Sequence, residues 1–143
     1  MKILLGSANV DAEQYTEDFF LSVAGEIKKL TELPDDSEIS VLLTCDGTIQ
    51  ELNSNYRSID KPTDVLSFPM GENNMLGDIV ISVETAHRQS QGEHEEEMAF
   101  LFIHGVLHLL GYDHEGVSEN EAEKMYSLQE KILDAWCNSR RKN

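Results

Sequence analysis

Three histidines occupy positions 104, 108 and 114, within the segment His-Gly-Val-Leu-His-Leu-Leu-Gly-Tyr-Asp-His. An α-helix turns about 100° per residue, so His104 and His108 lie on one helix face, about 6 Å apart along the axis, where both can bind one ion. His114 falls on the wrong side of a continuous helix and joins them only if the helix ends first. Gly111 can end it, because glycine readily adopts the left-handed conformation that closes a helix.

The three imidazoles predict a metal centre with hydrolytic chemistry. Ligation by nitrogen alone favours zinc, although nickel, iron and copper also accept such ligands. Three protein ligands leave a fourth position for water, as in catalytic zinc sites. The ion would lower the pKa of that water toward neutrality and polarise a carbonyl or phosphoryl oxygen. We therefore expect one Zn²⁺ per chain on His104, His108 and His114.

The spacing is also that of the metzincin metalloproteases, His-Glu-x-x-His-x-x-Gly-x-x-His, with one departure. The catalytic glutamate of that pattern would stand at position 105, where this chain has Gly105. This departure argues against a conventional peptidase. A peptidase or amidase with a different catalytic base stays an alternative. Asp64 and Asp113 are candidate proton carriers, but a carboxylate beside a metal-binding histidine often orients that histidine. For both, an anchoring or orienting role is favoured over base chemistry.

Hydrophobic periodicity predicts the elements that must position these residues. The strands are expected at 2–5, 39–43, 65–68 and 77–82, and the helices at 16–30, 47–56, 83–90, 94–110 and 118–136. Asp46 is expected to cap the second helix, Pro69 to close the third strand, and residues 70–76 to form a turn. Early strands and late helices indicate an α+β fold: one domain over residues 1–143, with a small mixed sheet of about four strands and about five helices. The helix that carries His104 is apolar around nearly its whole circumference and should be buried.

The composition restricts the classes of partner. The chain has 11 basic and 27 acidic residues, a net charge of -16, which argues against non-specific adhesion to nucleic acid or anionic membranes. No apolar run approaches the roughly 18 residues that a membrane span needs, and no secretory signal is apparent, so a cytoplasmic protein is expected. Cys45 and Cys137 are expected to be packing residues rather than a disulfide, and His87 and His94 to be surface or capping residues.

Together with two further segments, the histidine motif closely resembles the YbeY family of bacterial endoribonucleases. The segments are Leu-Asn-x-x-Tyr-Arg-x-x-Asp-Lys-Pro-Thr-Asp-Val-Leu-Ser-Phe-Pro at 52–69 and Gly-Asp-Ile at 77–79, and the resemblance spans about residues 38–135. It implies a cytoplasmic, single-strand-specific, metal-dependent endoribonuclease that matures the 3′ end of 16S ribosomal RNA and serves ribosome quality control. It also implies zinc on the three histidines and an arginine, Arg57, that matters for activity.

Arg57 and Lys61 also make physical sense as substrate-binding residues, because they are two of only 11 basic residues and share one loop region. Arginine binds phosphate through two parallel hydrogen bonds. Arg57 and His108 are thus the predicted catalytic residues, with Arg57 stabilising the phosphate and a metal-activated water attacking it. Given the net charge, either the cleft is locally positive through the ion, Arg57, Lys61 and Arg88, or a partner such as the small ribosomal subunit brings the single-stranded RNA. A non-catalytic ribosome-assembly factor with a structural metal is the remaining alternative.

Overall fold

The computed structural model describes residues 1–113 and 115–141. The elements in chain order are β1 (Lys2–Ser7), α1 (Glu17–Leu30), β2 (Glu38–Thr44), α2 (Asp46–Arg57), β3 (Val65–Glu72), β4 (Met75–Ser82), α3 (Val83–Gln89), α4 (His94–Leu109) and α5 (Glu119–Arg141). The predicted α+β class, with four strands and five helices in the described residues, is confirmed. Cys45 and Cys137 are not joined by a disulfide.

The four strands form one mixed sheet in the order β1-β2-β4-β3. β1, β2 and β4 are parallel, whereas β3 pairs antiparallel with β4 and forms one edge of the sheet. Because side chains alternate along a strand, Ile79 and Ile81 join the main core with α4, while Val80 joins a smaller core with Ile49 of α2. The helices α2 and α4 therefore cover opposite faces of the sheet.

The turn expected at 70–76 is limited to residues 73–74, because β4 begins at Met75, and two further expectations were wrong for a tertiary reason. Pro69 does not close β3, which continues to Glu72 with an irregularity after Pro69. Proline is tolerated there because β3 is an edge strand. Asp46 does not cap α2: Cys45 is the N-cap, and Asp46 Oδ1 instead accepts hydrogen bonds from the Ser82 and Thr85 hydroxyls. The Asp46 carboxylate thus ties the start of α2 to the start of α3.

The helix α4 is buried along most of its length, as its apolar sequence predicts. It ends at Leu109, with Leu110 as C-cap, and Gly111 follows with the expected positive φ, +99°. The Gly111 N–H donates to the His108 carbonyl at 3.0 Å and the Tyr112 N–H donates to the Leu107 carbonyl at 3.0 Å, the Schellman pattern. The chain therefore leaves the helix axis directly after the second histidine. Among the described residues, no helix has the length and apolar character needed to span a bilayer.

Candidate metal centre

His104 and His108 point toward each other from the second half of α4. Their ring centroids are 4.6 Å apart and their Nε2 atoms are 3.0 Å apart. A zinc ion lies about 2.0–2.1 Å from each histidine nitrogen, so two nitrogens at this separation can both reach one ion. In the described part of the chain, these two histidines do not belong to a group of three or more potential metal ligands. His114, the third predicted ligand, lies outside the described residues.

Gln129 of α5 contacts the first of these histidines, His104, at the ring nitrogen that does not face His108. Its side chain is 1% exposed, and its Oε1 lies 3.1 Å from Nδ1 of His104. When Nδ1–H donates to this oxygen, Nε2 of the same ring keeps its lone pair, which is the form that binds a metal. The Gln129 Nε2 is buried with no hydrogen-bond partner among the described residues. The amide group therefore carries the energetic cost of one unsatisfied donor while its oxygen contacts His104.

The sequence interpretation missed Gln129, although a signal was present. Along α5 the buried positions are Met125, Gln129, Ile132 and Trp136, which follow the helical period. A glutamine on such a face must find a buried partner, because an unpaired amide is costly in an apolar core. Nothing in the local pattern of α5 indicates that this partner is His104.

The two histidines open into a cavity of about 290 Å³ at the edge of the sheet. Its walls come from the end of α2, the segment that enters β3, the C-terminal half of α4 and the loop that follows α4. The lining residues are Arg57, Thr63, Asp64, Val65, Leu66, Ser67, His104, His108, Asp113 and Glu115. The described lining residues thus combine one guanidinium, two imidazoles and three carboxylates.

Arg57 reaches this cavity from the far side of the sheet. It is the last residue of α2, which ends where Ser58 adopts a left-handed conformation with φ of 58°. The Arg57 Nη2 lies 3.8 Å from Oε2 of Glu115, across the cavity mouth. The structure therefore brings the predicted phosphate-binding arginine and the two histidines to one cavity.

The other two basic residues that were expected at the cleft do not line it. Lys61 is exposed, and its carbonyl accepts a hydrogen bond of 3.0 Å from Asn53 Nδ2, so its backbone anchors the loop. The Arg88 Nη2 lies 2.8 Å from Oδ2 of Asp46. Among the described lining residues, Arg57 is thus the one lysine or arginine.

The two aspartates have anchoring contacts. Asp64 Oδ1 accepts a 2.8 Å hydrogen bond from the Val65 N–H, and its carbonyl accepts one of 2.9 Å from the Ser82 N–H, which fixes the start of β3 beside β4. Asp113 Oδ1 accepts a 3.2 Å hydrogen bond from the Glu115 N–H and lies 4.0 Å from His108 Nδ1. Both carboxylates therefore hold backbone near the histidines.

Gly105 faces the sheet rather than the cavity. A Cβ atom at this position would lie 3.0–3.2 Å from three side-chain atoms of Ile79. A glutamate here would thus press against β4. Packing against Ile79 therefore disfavours a glutamate base at position 105, which the sequence also lacks.

The chain is similar to known endoribonucleases over most of its length. The model of the YbeY family, described as Endoribonuclease YbeY, matches residues 6–137. Endoribonuclease YbeY of Heliobacterium modesticaldum is 50% identical, covering 69% of this chain and 69% of its own, and that of Shouchella clausii is 39% identical, covering 89% and 95%. The solution structure of TM1509 from Thermotoga maritima covers 99% of this chain and 93% of its own, at 30% identity and a TM-score of 0.68.

Proposed function

The chain belongs to the YbeY family of endoribonucleases, and we propose that it hydrolyses single-stranded RNA in the cavity between Arg57 and the two α4 histidines. It is a hydrolytic nuclease whose substrate is RNA. The observation that carries the proposed site is the shared cavity. A guanidinium that fits phosphate and two imidazoles that fit a metal come from opposite faces of the sheet and meet at its edge.

We assign the metal to His104, His108 and His114, with zinc as the ion. The family is metal-dependent in general. The 3.0 Å separation of the two Nε2 atoms and the Gln129 contact support the first two ligands. The third is supported by its chain neighbours, because Asp113 and Glu115 both line the cavity. When bound, the ion lowers the pKa of a water and polarises a phosphoryl oxygen.

The protein's own residues then bind and orient the phosphodiester. At 3.8 Å, the Arg57–Glu115 ion pair is longer than a hydrogen bond, so the guanidinium keeps N–H donors for the phosphate oxygens. Those donors stabilise the charge that builds up on the phosphate as it is attacked. Asp64 and Asp113 anchor backbone, so Glu115 is the described lining carboxylate that we assign to accept the proton of the attacking water.

We further propose that the RNA is the 3′ end of small-subunit ribosomal RNA and that cleavage takes place in the cytoplasm. A chain with net charge -16 attracts free RNA weakly, because affinity for the phosphate backbone comes mainly from neutralising cations. One arginine in the cavity positions a phosphate but does not recruit a long strand. Delivery by the ribosomal subunit supplies that recruitment.

The test compares zinc-loaded and metal-free protein on end-labelled single-stranded and duplex RNA at several salt concentrations. Arg57→Ala should lower kcat/KM by about 10²–10³-fold, the usual loss when one donor to a developing oxyanion is removed. It should also reduce the salt slope of binding by about 1. Arg88→Ala is the matched control, because Arg88 pairs with Asp46 outside the cavity. Equal cleavage in every sample would show a contaminating nuclease and overturn the proposal.

A further inference from the structure

An exposed aromatic ring adjoins the cavity that binds RNA in the proposed function. Tyr56 is 69% exposed, the largest exposure among the described large apolar side chains that face solvent. Met70, at 51%, and Ile59, at 37%, are exposed in neighbouring segments. Single exposed apolar residues are common, but three of the six in the described chain fall near the end of α2 and on β3.

Although Tyr56 is exposed, its ring is in contact with the protein. Its ring packs edge-to-face on Phe68 of β3, with 5.3 Å between centroids and 63° between planes. Phe68 in turn packs on the smaller core formed by Ile49, Leu66 and Val80. We call Tyr56 and Phe68 the aromatic platform. The contact with Phe68 restrains the exposed tyrosine ring, which reduces the conformational entropy lost when a flat ligand stacks on it.

Two residues of the cavity wall connect this platform to the cavity. Tyr56 directly precedes Arg57 in α2, and Phe68 shares its face of β3 with Leu66, because side chains alternate along a strand. Both Arg57 and Leu66 line the cavity wall. The platform therefore adjoins two lining residues, and a strand whose phosphate is held by Arg57 can extend toward the Tyr56 ring.

The charge balance favours a contact that does not depend on phosphate. With a net charge of -16 and one lining arginine, ionic attraction gives this protein little hold on RNA. Proteins that bind single strands gain affinity by stacking bases on aromatic rings, and this gain tolerates any base. In a duplex both faces of each base are already stacked, so an aromatic platform selects unpaired nucleotides.

From these contacts we infer that the aromatic platform stacks one nucleobase of single-stranded RNA, next to the phosphate held by Arg57. The inference rests on the proposed function and names the element that distinguishes single strands from duplex. Tyr56 is a substrate-positioning residue in this arrangement. It orients the strand and takes no part in the chemistry.

The test measures the anisotropy of a fluorescein-labelled 2′-O-methyl oligoadenylate, confirmed by gel to stay intact, with the zinc-loaded protein. Tyr56→Phe and Tyr56→Trp should bind as wild type, because both keep a π face. Tyr56→Ala and Tyr56→Leu should bind on the order of 10- to 100-fold more weakly, with an unchanged salt slope. Tyr126→Ala is the control, an exposed tyrosine on α5 outside the cavity lining.

Two further readouts make the result specific. An oligonucleotide with an abasic site should reduce the difference between wild type and Tyr56→Ala, and the fluorescence of Tyr56→Trp should be quenched by the intact oligonucleotide. Because Trp136 is buried, its background signal is expected to stay constant. If Tyr56→Leu binds the oligonucleotide as tightly as wild type, the stacking role of the platform is overturned. The exposed ring is then explained by an interaction with a protein. If Arg57→Ala also binds and cleaves as wild type, the proposed function fails with it.

Discussion

Oε1 of Gln129 lies 3.1 Å from Nδ1 of His104, and this one contact couples α5 to the histidine-bearing face of α4. The two residues are 25 positions apart in the chain. An amide oxygen in this place favours the tautomer that carries its proton on Nδ1 and leaves Nε2 available to an ion. The contact therefore gives α5 a direct role in preparing the metal site.

Replacing Gln129 should separate metal affinity from stability. Gln129→Leu removes the acceptor for His104, which is destabilising, and also removes the unsatisfied Nε2, which is stabilising, so the melting temperature of the metal-free protein should change little. Its zinc affinity should fall by about 10- to 100-fold, as for other residues that orient metal ligands. Gln129→Glu keeps an acceptor and should retain most of the affinity. Competition with a chromophoric chelator measures the affinity, and parallel losses of melting temperature and zinc binding would contradict the orienting role.

His114→Ala should lower zinc occupancy while leaving the fold in place. The fold should survive because α4 ends at Leu109, before this residue, and is held by buried apolar contacts. Metal content by elemental analysis and helix content by circular dichroism check the two parts. His94→Ala is the control, a histidine outside the cavity lining. Full zinc occupancy in the His114 variant would show that the third ligand is wrong.

Glu115→Gln should change RNA binding and RNA cleavage in opposite directions. The carboxylate competes with phosphate for Arg57, so its neutralisation should tighten RNA binding by a few-fold at low salt, about 0.2–1 kcal/mol for an exposed pair. As the assigned proton acceptor, its loss should lower kcat by about 10²-fold or more. Glu119→Gln, on α5, serves as control. Unchanged kcat with tighter binding would show that Glu115 takes no part in the chemistry and acts only as the ion-pair partner of Arg57.

Gly105→Glu should destabilise the protein without creating a peptidase. A Cβ here meets Ile79 at 3.0–3.2 Å, and the carboxylate would be buried without a partner, at about 3 kcal/mol or more. Gly105→Ala should change stability by about 1 kcal/mol or less, because the better helix propensity of alanine offsets the tight contact. Urea unfolding measures both variants. A folded Gly105→Glu protein that cleaves unstructured peptide would restore the protease interpretation.

Stability should fall as the pH drops through the titration range of His87. Burial lowers the pKa of His87 below 6.5, and the imidazole of His94, stacked 3.9 Å away, lowers it further. The Nε2 of His87 lies 2.7 Å from the Tyr15 hydroxyl. A depressed folded-state pKa gives stability that is present above the unfolded value and lost as pH falls. The melting temperature should thus decrease between pH 7.5 and 5, and His87→Phe should decrease less. Equal slopes for the two proteins would exclude His87 as the cause.

The local sequence determined those features that depend on neighbouring residues. The spacing of His104 and His108 fixes their shared helix face, and Gly111 ends α4 because a residue at positive φ is needed there. Periodicity also predicted the four strands and five helices, since burial on one side leaves a repeating pattern. These features depend on residues that are close together in the chain, so they can be predicted from the sequence alone.

The tertiary structure decided which distant residues meet. Neither the partner of Gln129 nor the position of β3 at the sheet edge follows from a local pattern, because strand order and helix packing are set by the whole core. Lys61 and Arg88 were expected with Arg57 at the cleft, yet neither lines it: the Lys61 side chain is exposed, and Arg88 pairs with Asp46. Charge and chain proximity suggest partners, but only the packing of α2 and α4 on opposite faces of one sheet selects which side chains reach its shared edge.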